Sequence, residues 1–335
     1  MDEGDDALTF QEEVRRVASM VDSYLEEEVD GAPRDLYDAS SHLIRAGGKR
    51  LRPFILVEFH ALYSPDEAAV LPAAAAVELI HNFTLIHDDI MDRDEIRHGV
   101  PTVHRKYGEA LAILAGDVLF AKVFSLLTRT PALSPPSRTV EAVKIVAESL
   151  VTLCEGQALD MNAPKIEQMS EEGYYSTIEK KTSALFEASA SIGCIAGGGS
   201  PEDVGRAASY ARHLGLAFQL VDDVLGVVGD PGVTGKPVGG DLREGKRTMP
   251  IMLAVREAAP SDREKILSVW GKGNAEQGAL AGSVEIIRSM GIDQKVRSLA
   301  RGNVERALEA LGPLPDAEAK RYLVQLAHFV MDRRM

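Results

Sequence analysis

Cysteine is nearly absent: Cys154 and Cys194 are the only two in 335 residues. Their spacing matches neither a CxxC redox motif nor a zinc site. Two packed thiols are the ordinary state of a chain kept in a reducing compartment, so the protein is expected to be cytoplasmic. Aromatic residues are scarce at 5%. Strands favour aromatic and β-branched side chains, so an apolar set dominated by Ala, Leu and Val leans toward helices. Excess positive charge is missing as well. A net charge of −14 argues against a nucleic-acid partner, because phosphate backbones select basic surfaces. No apolar run approaches the roughly 20 residues of a membrane span, so no transmembrane segment is expected. The start, Met1-Asp2-Glu3-Gly4-Asp5-Asp6, is acidic, unlike the basic start of a signal or transit peptide. Period-2 alternation, repeats of roughly 20–50 residues and linker-like stretches are also lacking. One all-α domain over residues 1–335, a helical bundle, is the economical expectation.

What is present is helical punctuation. Phe10, Val14, Val17, Val21 and Leu25 recur at helical spacing. A short second helix should stop at Gly47-Gly48. Ser64 to Glu67 marks the start of a long apolar helix reaching Asp92, with Pro72 either beginning or kinking it. Further helical patterns cover about Gly108–Thr130, Thr139–Asp160 and Glu172–Ala196. Ser200-Pro201-Glu202-Asp203 restarts the chain after a glycine triplet, and that helix runs to about Val228 before a Gly/Pro loop from Gly229 to Gly240. Ser261 and Glu264 form a capping-box pattern, and Gly312-Pro313 is a break.

Carboxylates crowd the end of two of these helices. Asp88 and Asp92 fall one turn apart on one face, with Asp89 beside them. Like charges so close call for a cation, and hard oxygens suit Mg2+, which shares its shell with phosphates. A lone DDxxD fits a solvated helix end equally well. Asp222-Asp223 repeats the arrangement late in another apolar helix, and a bundle can present acids from opposite walls of one cavity. Spacing alone leaves that facing open. Cations interleave with the acids: Gly47-Gly48-Lys49-Arg50-Leu51-Arg52-Pro53, then Arg97-His98-Gly99, Lys180-Lys181-Thr182, Gly235-Lys236-Pro237 and Gly245-Lys246-Arg247-Thr248. Helix N-termini, backbone amides and Arg forks favour phosphate oxygens.

GGKRLRP, HDDIMD followed by RHGVPTVH, GQALD, KKT, and FQLVDD followed by TGKP, GGD and GKRT stand in one order from Gly47 to Thr248. In these motifs the chain strongly resembles the trans-isoprenyl diphosphate synthases. The resemblance implies the isoprenoid-synthase helical bundle with a central cavity, a homodimer, and Mg2+ as cofactor. It implies that Asp88, Asp92 and Asp222 hold Mg2+ on an allylic prenyl diphosphate, with Asp89 and Asp223 supporting them. Arg97, Lys181, Lys236 and Lys246 would contact that diphosphate. Lys49, Arg52 and His81, with Arg50 and His98, would hold isopentenyl diphosphate. Thr182 and Gln219 would aim oxygens at the developing allylic cation, and Gln157 and Asp160 would support the wall.

Two positions depart from the family pattern. His98 stands where a second Arg is usual, so a weaker and pH-dependent grip on isopentenyl diphosphate is expected. Gly226 stands where many members carry a third Asp, and no ligand is assigned there. Phe83 lies five residues before Asp88, roughly 7 Å deeper along the helix at about 1.5 Å per residue. The wheel puts it about 140° from Asp88, an ordinary core position; the resemblance makes it the floor of the product cavity. With Thr84 and an uninterrupted DDxxD, it is similar to the archaeal-type geranylgeranyl synthases. A C20 product is expected, with C15 and C25 as alternatives. A class I terpene cyclase would need no GGKRLRP segment, and a noncatalytic partner subunit would be expected to lack acids that are present here.

Overall fold

Cap and stop chemistry sets most element boundaries in the computed structural model, which describes residues 3–163, 165–229 and 238–333. The chain opens with α1 (Glu3–Glu28), whose Phe10, Val17, Val21 and Leu25 are buried as the apolar stripe requires. The expected second helix is two: α2 (Arg34–Ser40) and α3 (His42–Arg45). α4 (Leu51–Ala61) follows the glycine loop and is almost wholly buried. A single 3₁₀ turn, Glu67–Ala69, is capped by the Asp66 carboxylate accepting from the Ala69 amide, and Pro72 then sits in the first turn of α5 (Leu71–Asp92). Pro72 begins the helix and does not kink it.

After α5 comes the one β element among the described residues. β1 (Ile96–Arg97) pairs antiparallel with β2 (Val100–Pro101). The turn residues His98 and Gly99 have φ of +51° and +77°, the left-handed pair that a two-residue hairpin loop needs. Two-residue strands are too short to show alternation, which is why the sequence predicts none. α6 (Val103–Tyr107), α7 (Glu109–Arg129) and α8 (Pro136–Met161) follow. Then come α9 (Glu171–Ile178), one turn of π-helix over Glu179–Ser183, and α10 (Ala184–Gly197). α11 (Pro201–Val228) starts where Ser200 and Asp203 exchange side-chain and backbone hydrogen bonds. The later helices are α12 (Gly240–Glu244), α13 (Met249–Glu257), α14 (Pro260–Val269), α15 (Gln277–Ser289), α16 (Ile292–Leu311) and α17 (Glu318–Asp332). The capping box expected at Ser261 does not form: the helix already begins at Pro260, and Ala259 is its N-cap. A proline at N1 competes better for that place than a serine one residue later.

The described contacts divide the chain into two units. One comprises Met1–Ser149, Leu185–Ala208 and Pro313–Gln325; the other comprises Leu150–Ala184, Ser209–Gly312 and Leu326–Met335. In the first, α5 is the central element, with α1, α4 and α7 packed on it. α7 has the length and apolarity of a membrane-crossing helix. It nevertheless buries Ala112, Ala115, Gly116, Leu119 and Val123, and its mid-helix Lys122 ammonium donates to the Glu28 carbonyl. One face of α7 is thus packed within this unit. In the second unit, α13 is buried nearly throughout and packs against α14, α15 and α16.

Candidate active site

In the first unit the chemistry lines up along α5. Asp88 is half-buried and Asp92 exposed, one helical turn apart. Asp89 differs: it is fully buried, and its Oδ1 accepts from the Nε of Arg97 at 2.8 Å and from its Nη2. Arg97 also reaches Asp94 at 2.8 Å. Asp89 is thus a bracket for Arg97, reached because the hairpin folds β1 back onto the helix end. Burial pushes the Asp89 carboxyl up, and the Arg97 hydrogen bonds oppose it. Asp89 Oδ2 is buried with no hydrogen-bond partner among the described residues.

The cations of this unit gather around His81, one to two turns up the same helix. Burial, then the charges of Arg52, His98, Arg50 and Arg97, hold its imidazole well below the usual pKa, so it is neutral at pH 7. Lys49 is exposed in the loop before α4. Arg52 lies with its guanidinium carbon 4.7 Å from the ring centroid of Phe186 on α10, a cation–π seat that limits its rotamers. Arg50 turns inward and is 2% exposed in its side chain. Below His81, the Phe83 ring meets Phe120 edge-on at 5.5 Å, and Phe120 meets Phe124 at 5.4 Å.

In the second unit the π-turn carries Lys180-Lys181-Thr182. Such one-turn insertions are frequent at functional sites because they re-aim side chains. Gly156 of GQALD makes room for it: a Cβ there would stand 2.5 Å from the Lys181 backbone nitrogen. One turn beyond, Asp160 takes the Lys181 ammonium at 2.7 Å. The Thr182 hydroxyl donates to Gln219 Oε1 at 2.9 Å, and Gln219 Nε2 donates to Asp223 Oδ1 at 2.9 Å. Asp223 also accepts from the Tyr174 hydroxyl at 2.6 Å and from the Met249 amide at 3.2 Å. Burial pushes its carboxyl up to about 7, opposed by the Tyr174 and Gln219 hydrogen bonds. Asp222 faces outward with its side chain 36% exposed, 2.8 Å from the guanidinium of Arg333. Lys246 pairs with Asp241 at 3.4 Å and Glu244 at 2.6 Å. Lys236 lies outside the described residues.

Among the described residues no group of three His, Cys, Asp or Glu side chains forms a ready-made metal centre. In one unit Asp88 is half-buried and Asp92 exposed; in the other, Asp222 is part-exposed and ion-paired with Arg333. Each offers hard oxygen donors of the kind that suits Mg2+, which keeps several waters and takes its other ligands from phosphate.

A family described as polyprenyl synthetase matches residues 33–287. The chain is 42% identical to a short chain isoprenyl diphosphate synthase of Methanothermobacter thermautotrophicus, covering 96% of this chain and 97% of that one. The chain belongs to the polyprenyl synthetase family. It is 39% identical to a geranylgeranyl diphosphate synthase of Methanosarcina mazei over 97% of this chain and 98% of that one. Its fold matches geranylgeranyl pyrophosphate synthetase from Pyrococcus horikoshii with a TM-score of 0.90 at 36% identity, covering 97% and 99% of the two chains. It also matches a Caulobacter crescentus polyprenyl synthase, solved with calcium and isoprenyl diphosphate, at TM-score 0.86 and 31% identity over 99% and 98%. The chain is therefore a prenyltransferase of the isoprenoid-synthase fold.

For this polyprenyl synthetase the sequence overlooks three supports. Phe186 and Tyr174 carry no motif signal beyond lying near KKT. Asp241 stands in the GGD motif without an assigned task. A Cβ on Gly226 would fall 2.0 Å from Asp241 Oδ2 and 2.4 Å from its Cγ, so the Asp241 carboxylate fills the space that a residue-226 side chain would need. Gln157 is 8% exposed with neither amide atom hydrogen-bonded within the described protein.

Proposed function

We propose that this prenyltransferase condenses isopentenyl diphosphate with allylic diphosphates of C5, C10 and C15 length and releases geranylgeranyl diphosphate. The observation that carries the reading is the order of groups along α5: His81 among the cations, the Phe83 ring, then Asp88 and Asp92. Both units take part in one polyprenyl synthase domain, since the family match runs through each.

In this reading Asp88, Asp92 and Asp222 hold Mg2+. The bound ions supply Lewis-acid stabilisation of the departing diphosphate. Arg97, fixed by Asp89, and Lys181, fixed by Asp160, bind the allylic diphosphate, together with Lys246 and Lys236. Lys49, Arg52, His81 and His98 hold the diphosphate of isopentenyl diphosphate. The allylic C–O bond breaks, and the alkene of isopentenyl diphosphate forms the new C–C bond. A proton is then lost to the released diphosphate. Thr182 and Gln219 present oxygen dipoles to the allylic cation. The Asp223 carboxylate orients Gln219 by accepting from its Nε2, which turns Oε1 toward Thr182. Preorganised dipoles of this kind need no reorganisation as charge develops.

The edge-to-face rings of Phe83, Phe120 and Phe124 support a floor that stops growth at C20. Two unpaired thiols, Cys154 and Cys194, fit a cytoplasmic protein. Ile113 and Leu114 are 43% and 53% exposed on α7, apolar surface that favours a homodimer. Incubation of isopentenyl diphosphate with each allylic primer and Mg2+, followed by chromatography of the dephosphorylated products, tests the proposal. A C20 alcohol from every primer is the expected result. Conversion of an allylic diphosphate alone into a hydrocarbon would establish a cyclase instead.

A further inference from the structure

Arg50 stands inside the GGKRLRP motif, between two cations assigned to isopentenyl diphosphate, yet its side chain points away from them. Its backbone is left-handed, with φ of +49° and ψ of +38°. That conformation costs a non-glycine residue on the order of 1–2 kcal/mol and persists only where neighbouring contacts enforce it. Here three nitrogens of the guanidinium system each hold a different segment. Nε donates to Asp22 Oδ1 of α1 at 2.7 Å, Nη1 to Glu78 Oε1 of α5 at 2.8 Å, and Nη2 to the Ile44 carbonyl of α3 at 2.7 Å. Glu78 is itself 3% exposed in its side chain, and the same Oε1 accepts from Asn82 Nδ2 at 2.9 Å. Three of the five N–H donors are therefore taken within the protein, and with the side chain 2% exposed the other two are not presented to a diphosphate.

The consequence for the neighbours is geometric. Reversing the chain at Arg50 leaves Lys49 exposed on one side and sends Arg52 to its seat over Phe186 on the other. The same fork pins this loop to α5 at Glu78, three residues before His81. The geometry points to Arg50 as a positioning residue that sets Lys49 and Arg52 against His81, acting with Glu78 and making no contact with substrate. This replaces the expectation that Arg50 binds isopentenyl diphosphate. It rests on the proposed assignment of Lys49, Arg52 and His81 to that substrate.

The test is steady-state kinetics on the full-length enzyme, with isopentenyl diphosphate and the allylic primer varied separately. Arg50→Met and Glu78→Leu should each raise KM for isopentenyl diphosphate about 10–100-fold, the scale of one lost charge-assisted hydrogen bond. The KM for the allylic primer should stay unchanged. Arg50→Lys should not rescue, because an ammonium cannot serve three directions at once. The double variant Arg50→Met/Glu78→Leu replaces a buried ion pair by apolar groups, so it should regain thermal stability while keeping the raised KM. If Glu78→Leu leaves KM for isopentenyl diphosphate unchanged while Arg50→Met raises it, Arg50 touches substrate and the proposal is overturned. If the double variant restores both stability and KM, the pair is merely structural. Lys49→Ala serves as control: an unchanged KM for isopentenyl diphosphate there would overturn the underlying assignment, and the proposal with it.

Discussion

Gly226 should resist substitution for a steric reason that a partner mutation removes. It lies near the end of α11, where Gly→Ala by itself stabilises a helix by up to about 1 kcal/mol. The added methyl would stand 2.0 Å, 2.4 Å and 2.7 Å from Oδ2, Cγ and Oδ1 of Asp241. Asp241 cannot yield freely: its side chain is 9% exposed and 3.4 Å from the Lys246 ammonium. Overpacking of this kind costs about 1–3 kcal/mol. Gly226→Ala should therefore lose about 0–2 kcal/mol in the native protein, yet gain about 1 kcal/mol in an Asp241→Ala background. The coupling in the double-mutant cycle is then about 1–3 kcal/mol, with the lost Lys246 pairing cancelling between its arms. At roughly 2.1 cal/mol/K per residue, 335 residues give an unfolding entropy near 0.7 kcal/mol/K, so each kcal/mol moves Tm by roughly 1.4 °C. Denaturant midpoints resolve the cycle better than Tm does. A cycle that closes at zero, with Gly226→Ala stabilising in both backgrounds, would falsify the claim that Asp241 occupies this space.

Three further outcomes follow from separate parts of the molecule. Glu58 is 2% exposed on α4, and burial with the charges of Glu13 and Glu67 pushes its carboxyl from 4.5 up to about 9. The fold keeps a proton that the unfolded chain releases between those values, so stability falls as pH rises through that window, by at most about 1.4 kcal/mol per pH unit. Glu58→Gln should flatten the slope and be the more stable form at about pH 8; parallel pH–stability curves would count against it. Burial and the charges of Arg97 and Arg50 hold His98 below its usual pKa, so wild-type KM for isopentenyl diphosphate should improve only below about pH 6.5. His98→Arg should lower that KM severalfold and remove the pH dependence, and an unchanged value would separate His98 from the substrate. Phe83→Ala should shift the product from C20 to C25, with Phe120 as the next stop, and Phe83→Ala/Phe120→Ala should release longer chains. An unchanged product distribution in both variants would dismiss the aromatic floor.

The helices were legible because their signals are local. Apolar spacing predicts α1, and the Ser200-Pro201-Glu202-Asp203 start fixes an end that the structure keeps, whereas Pro72 leaves start and kink open until the structure shows it in the first turn of α5. What escaped is whatever depends on distant groups or on very short elements. The hairpin at His98-Gly99 has two residues per strand, below the length at which alternation can be seen. The π-turn at Glu179–Ser183 has no compositional mark, since one extra residue in a turn changes no periodicity that a short window can register. Arg50 and Arg52 share a motif and a residue type, and only the left-handed backbone at Arg50 sends one inward and the other toward Phe186. The Gly226 departure was visible, but its reason was not: Asp241 lies fifteen residues away by number, and no one-dimensional pattern says that its carboxylate returns to that helix.

The acidic pairs follow one plan. In each, the first aspartate is partly exposed, Asp88 in one unit and Asp222, paired with Arg333, in the other, and the second is buried at 0% and 4% exposure. Adjacent residues on a helix are turned about 100° apart, so a pair late in a helix can offer one carboxylate to solvent and one to the protein. The inward one then does what an isolated ligand cannot. Asp89 holds Arg97 through two of its nitrogens, and Asp223 holds Gln219, Tyr174 and the Met249 amide. In the proposed reaction each inward acid would thereby anchor the group needed beside the outward one: a cation for the diphosphate in the first case, a dipole for the carbocation in the second. Under the proposed assignment, each doubled aspartate supplies one ligand and one scaffold rather than two metal ligands. A third acid at residue 226 would have no room in this arrangement, because the space beside that residue is already filled by Asp241.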